Sequence, residues 1–137
     1  MESQGTIRIA AALIQRADGH TLLVRKRNTQ TFMQPGGKIE VFEQPATALC
    51  RELSEELSLD LAPEQLTYLG RFTAPAANEP GRLVDAEVFA VNISRSVEPA
   101  AEIEEILWID PDKTGSVDLA PLTRDKILPL CARPPQS

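Results

Sequence analysis

A run of acidic residues at helical spacing, set a fixed distance behind a pair of glycines, constrains this chain more than any other feature. The run is Arg51-Glu52-Leu53-Ser54-Glu55-Glu56-Leu57, and it follows Pro35-Gly36-Gly37 through a short stretch that contains Glu43. Pro45 supplies a helix start, because the first turn has no use for the missing N–H. Ala46, Leu49, Cys50, Leu53 and Leu57 then recur at helical intervals, so a helix over 44–57 carries one apolar stripe. Glu52, Glu55 and Glu56 lie beside that stripe at i, i+3 and i+4, where side chains are neighbours. Like charges so placed repel, and a hard divalent cation relieves the repulsion through carboxylate oxygens. The plain alternative is a solvated, Glu-rich surface helix. The glycine turn argues against it, since two glycines let backbone approach a ligand or cation closely.

Composition sets the frame for that helix. The 137 residues predict one domain over 1–137, with 1–5 and 133–137 flexible, and 42% apolar with 25% charged residues is ordinary for a globular protein. Cys50 sits on the apolar stripe and Cys131 near the end, which predicts free thiols in a reducing compartment. No apolar run reaches membrane-span length, and Met1 to Gly5 lacks the marks of a leader, so a cytoplasmic location without membrane contact is expected. The net charge of −6 argues against polymeric nucleic acid as partner. A small phosphate ester remains open, held by a cation and a few local bases.

Alternation and turn residues predict strands over 7–14 and 21–27 joined at Asp18-Gly19, an extended piece over 38–41, and strands over 66–72, 82–92 and 105–109. Prolines and a glycine predict a loop over 73–81, and a short helix over 123–128 is expected to be disturbed at Pro129. Strands on both sides of one helix, with a second helix at the end, imply a sheet covered on two faces.

Gly37, five residues, Glu43, seven residues, then Arg51-Glu52-Leu53-x-Glu55-Glu56-x-Ser58-Leu59 resembles the Nudix box of the Nudix hydrolase superfamily. One position departs: Ser58 stands where the family has glycine. Serine in that left-handed helix end costs ~1 kcal/mol and leaves the carboxylates untouched. The resemblance implies an α/β fold, an α/β/α sandwich around a mixed β-sheet. It also implies an enzyme that cleaves a nucleoside diphosphate linked to another moiety by attack of water on phosphorus, with Mg²⁺ as cofactor and Mn²⁺ as a substitute.

The same resemblance assigns residues. Glu52 and Glu56 match the usual metal ligands, Glu55 a further ligand or base, and the Gly37 carbonyl another oxygen donor. Arg51 and Glu43 match residues expected to pair and hold the loop against the helix. The general base stays open between Glu55 and Glu102, with Glu105 behind them. Arg27 and Lys38, with Gly36, resemble the substrate-binding positions. Arg25 and Arg27 would share one strand face, and Arg71 and Arg82 are weaker candidates. His20 in its turn, Trp108, Phe32 and Cys50 are read as structural.

The leaving group is left open. Pro75, sixteen residues beyond Leu59, resembles a proline mark of ADP-ribose pyrophosphatases, while the short chain suits a nucleoside triphosphate pyrophosphohydrolase equally well. The alternative from another class is a non-catalytic nucleotide-binding module of the same fold. Such modules usually lose the box carboxylates, and here all three are present. A homodimer is a further expectation, because dimers are common among relatives.

Overall fold

β1 (Thr6–Gln15) carries two alternating rows of apolar side chains, and the rest of the fold covers both. Ala10, Ala12 and Ile14 face one side, Ala11 and Leu13 the other. The computed structural model describes residues 6–131, so the expectations for 1–5 and 133–137 lie outside the described residues. β1 pairs in parallel with β6 (Leu83–Asn92) from Thr6 opposite Leu83 to Gln15 opposite Asn92. β5 (Thr67–Pro75) runs antiparallel along the far side of β6.

The other side of β1 opens the site. Asp18 and Gly19 turn the chain into β2 (Thr21–Lys26), yet the two strands pair only at the base of the hairpin, Gln15 opposite Thr21. They then splay apart. The segment 32–38 fills the gap, β3 (Phe32–Met33) pairing with β2 and β4 (Gly36–Lys38) with β1. β7 (Ile103–Ile109) closes the outer edge of β2, completing a seven-stranded mixed sheet.

Both faces of this sheet are covered. Leu49, Leu53 and Leu57 of α1 (Pro45–Leu57) bury against Ala12, Ile14, Leu22 and Val24. Leu119, Leu122, Ile127 and Leu128 bury against Ala11, Leu13, Leu23 and Val88 on the opposite face. The expected C-terminal helix is a single π-helical turn, Thr123–Ile127, running into a 3₁₀ turn at Leu128–Leu130. Pro129 has no N–H to continue a regular ladder, which accounts for the short irregular layer.

Two boundaries around the site differ from the sequence reading. The extended piece expected over 38–41 is Gly36–Lys38 instead, because those residues pair with Ile9 to Ala11 of β1. Val41 and Phe42 are left as an exposed turn. The loop expected over 73–81 starts later, since Thr73, Ala74 and Pro75 pair with Asp85, Val84 and Leu83. Pro75 is tolerated there because β5 is an edge strand. α1 ends where Ser58 adopts φ 54°, its N–H donating to the Ser54 carbonyl at 3.1 Å. Serine thus takes up the left-handed conformation that glycine favours.

Candidate active site

The splayed β1–β2 pair brings β4 directly under the acidic side of α1, and two glycines make that approach possible. Gly36 has φ +143°, and a β-carbon on it would fall 2.1 Å from the Ala10 carbonyl oxygen. A β-carbon on Gly37 would fall 2.4 Å from Cδ of Glu52. The carboxylate of Glu52 therefore rests on bare backbone. One turn later along α1, Glu56 Oε1 accepts a hydrogen bond from the Gly36 N–H at 3.2 Å.

Glu56 is the most perturbed acid of the site. It is 3% exposed. Burial pushes its carboxyl up to about 8, repulsion from Glu52 and Glu102 adds to the rise, and the Gly36 N–H and Lys26 oppose it. A buried acid among further acids must hold a proton or find a cation. Carboxylate and carbonyl oxygens are hard donors, so the set fits Mg²⁺. Among the described residues, no three His, Cys, Asp or Glu side chains already converge as a metal cage. The three glutamates that the helix spacing groups together divide by environment: Glu56 is buried, Glu52 half-buried and Glu55 exposed.

Arg51 governs the posture of Glu52. Its guanidinium meets Glu43 through two bonds, Nε to Oε2 and Nη2 to Oε1, each 2.9 Å. Nη1 donates to Glu52 Oε2 at 2.8 Å, and Nη2 also reaches the Lys38 carbonyl at 3.1 Å. The Arg51 fork holds the Glu43 carboxyl down at about 2, aided by the Glu40 N–H. One side chain thus ties the 38–43 turn to α1.

The basic residues are arranged differently from the sequence reading. β2 ends at Lys26, so strand alternation does not carry from Arg25 to Arg27, and the register shift beside Arg25 and Lys26 places its extra residue, Glu104, in β7. Arg25 pairs with Glu105 at 3.0 Å. Arg27 lies beyond β2; its guanidinium donates to the Ala101 carbonyl and sits 3.8 Å from Glu104. Its backbone N–H donates to the Glu102 carbonyl at 2.9 Å, so Arg27 braces the turn that carries Glu102. Lys26 is the basic residue beside Glu56, with its Nζ 3.8 Å from Glu102 Oε2. It follows Leu22 and Val24 of the helix-side core at two-residue spacing, so strand alternation alone would have found it. Lys38 is exposed at the same cleft, whereas Arg71 pairs with Asp85 and Arg82 with Glu79.

A cleft of about 180 Å³ opens beside these groups. Lys26, Lys38, Glu56 and the two glycines line it together with apolar residues such as Val24, Met33 and Leu122, and residues 75–79 border it. His20, Phe32, Cys50 and Trp108 are not among its lining residues. Trp108 packs on the helix-side core with the Arg16 guanidinium 4.6 Å from its ring, and Phe32 packs on the opposite core. Burial raises the Cys50 thiol, which disfavours the thiolate a nucleophile needs.

A family model described as the NUDIX domain matches residues 5–131. The chain belongs to the Nudix hydrolase family, whose members act on phosphoric anhydrides. A MutT-like protein of Streptomyces ambofaciens is 31% identical over 106 residues, covering 77% of this chain and 64% of that protein. This chain thus spans a little under two thirds of that relative's length. The CTP pyrophosphohydrolase of Escherichia coli (strain K12) is 30% identical over 120 residues, 84% of each chain. The crystal structure of a MutT NUDIX hydrolase from Burkholderia pseudomallei superposes with a TM-score of 0.68 at 26% identity, covering 81% of this chain and 88% of that one.

Proposed function

We propose that this protein is a Mg²⁺-dependent pyrophosphohydrolase that cleaves a nucleoside diphosphate linked to another moiety by attack of water on phosphorus. A nucleoside triphosphate is the favoured substrate class and ADP-ribose the other. The observation that carries the reading is Glu56, an acid buried at the cleft wall beside Glu52 and Glu102 with Lys26 among them. Similarity to a CTP pyrophosphohydrolase supports the triphosphate class.

In this reading Glu52, Glu56, Glu55 and the Gly37 carbonyl would hold the cation. A bound cation would neutralise phosphate oxygens and acidify a water molecule. Glu52 is kept in place by Arg51, and that is the part Arg51 has in catalysis. Glu102 accepts the proton of the attacking water, with Lys26 and the Arg27-braced turn fixing its position; Glu55 is the second candidate for that proton. Lys38 and the Gly36 backbone meet the phosphates, offsetting charge that grows as the bond to phosphorus forms. Both cysteines are free, which suits work in a reducing, cytoplasmic setting. Assembly as a homodimer completes the proposal and is read by light scattering.

The test is release of phosphate or pyrophosphate from a panel of nucleotides, with Mg²⁺, with Mn²⁺ and with chelator. Turnover that needs the cation and is lost in Glu56→Gln supports the reading. Tight nucleotide binding with no turnover under any cation would replace it with the non-catalytic module.

A further inference from the structure

Two buried polar atoms at the cleft have no partner, and neither belongs to the acidic side of the site. They are Gln34 Oε1 and Thr123 Oγ1. Gln34 is 7% exposed and Thr123 fully buried, and both residues line the cleft. The fold brings them to one place. The Phe32 N–H donates to the Asp118 carbonyl at 2.8 Å and the Ala120 N–H to the Phe32 carbonyl at 2.9 Å. Those bonds dock the start of the C-terminal turn beside the segment that holds Gln34.

The Gln34 carboxamide cannot turn over freely. Its Nε2 donates to the Ala12 carbonyl at 2.8 Å, and a reversed amide would set Oε1 against that carbonyl. Gln34 therefore keeps an unpaired acceptor buried in the wall of the cleft. Most of the nearby lining is apolar, with Ala11, Val24, Met33 and Leu122 around it. Apolar walls with one fixed, unpaired acceptor suit a planar heterocycle that carries a hydrogen-bond donor on its edge. A site built to pair with such a donor discriminates strongly against analogues that lack it, because its own polar group is then left unmet.

We propose that Gln34 is a specificity-determining residue: its Oε1 accepts a hydrogen bond from an exocyclic amino group of the substrate's base, while Thr123 Oγ1 meets a second polar atom of the same ring. A keto group in that position sets lone pair against lone pair. The inference deepens the nucleotide reading and rests on it only in assigning the base to this cleft.

Binding separates the two. Titration calorimetry with α,β-methylene triphosphates compares the cytosine nucleotide with the uracil one, and the adenine nucleotide with the hypoxanthine one. Within each pair the amino member should bind at least about tenfold tighter to the wild-type protein. In Gln34→Leu each pair should converge to within about twofold. Equal affinities within both pairs, preference for the keto member, or no binding of any of the four overturns the inference, and those measurements need no variant. If Gln34→Leu does not fold, Gln34→Met serves at nearly the same length. A preference that survives loss of the carboxamide also overturns it. Absence of turnover with natural nucleotides, alongside intact amino preference, would remove the hydrolase reading and leave this one standing.

Discussion

The carboxyl group of Glu52 occupies the space where a side chain on Gly37 would begin, with both carboxylate oxygens within 2.8 Å of a β-carbon built there. A methyl group at position 37 must displace the carboxylate, and a flexible side chain can yield. Gly37→Ala should therefore fold with a stability loss of about 1 kcal/mol or less and lose about a hundredfold in kcat/KM, because misplacing one catalytic group suffices for that. Gly36→Ala meets the Ala10 backbone instead, at a φ of +143°. That variant should lose about 3 kcal/mol or more. Urea melts beside steady-state rates distinguish the two; equal stability losses would contradict this account.

The buried Glu56 sets a pH dependence in the metal-free protein. Its carboxyl titrates at about 8 in the fold against an ordinary value of 4.5, chiefly through burial. The unfolded chain gives up that proton first. Stability in chelator should fall as pH rises from 4.5 to about 8 and level off above. Glu56→Gln should flatten this slope and make the metal-free protein more stable at pH 8, by on the order of 3 kcal/mol, while abolishing turnover. Thermal melts across that range, in chelator, test both halves.

Arg51→Lys keeps the charge and discards the fork. A lysine cannot meet both oxygens of Glu43 and still reach Glu52 and the Lys38 carbonyl. Activity should fall about tenfold to a hundredfold with little change in melting temperature, since partly exposed ion pairs stabilise weakly. A large thermal loss with normal kcat/KM would make Arg51 a purely structural brace.

Ser58→Gly should stabilise the protein by about 0.5–1 kcal/mol, because glycine takes the left-handed helix end without strain. Ser58 is exposed and closes α1 at φ 54°. Rates should stay unchanged. A lower melting temperature would mean that the hydroxyl has a partner worth more than the relief of strain.

Much of the fold was legible along the chain because local chemistry dictates it. Pro45 and the apolar stripe define α1, Asp18-Gly19 defines the first hairpin, and the acids follow the glycines at a spacing that also identifies the family. The second covering layer was less legible. Its residues bury as expected, but Pro129 leaves too little uninterrupted backbone for a regular helix.

What residue order determined by itself is the kind of chemistry available: three carboxylates on one side of a helix, placed behind two glycines. Which carboxylate is buried, and which cation neighbours it, was decided only in three dimensions. Glu56 is desolvated because β4 lies against α1, and β4 can lie there because β1 and β2 part after a single pair. Lys26 neighbours Glu56 because α1 covers the face of β2 that Lys26 shares with Leu22 and Val24. Gln34 and Thr123 reach the same cleft through hydrogen bonds between segments far apart in the chain. Helical and strand periodicities are short-range and survive in the sequence. Burial and electrostatic environment depend on which distant segments meet, and only the folded chain specifies that.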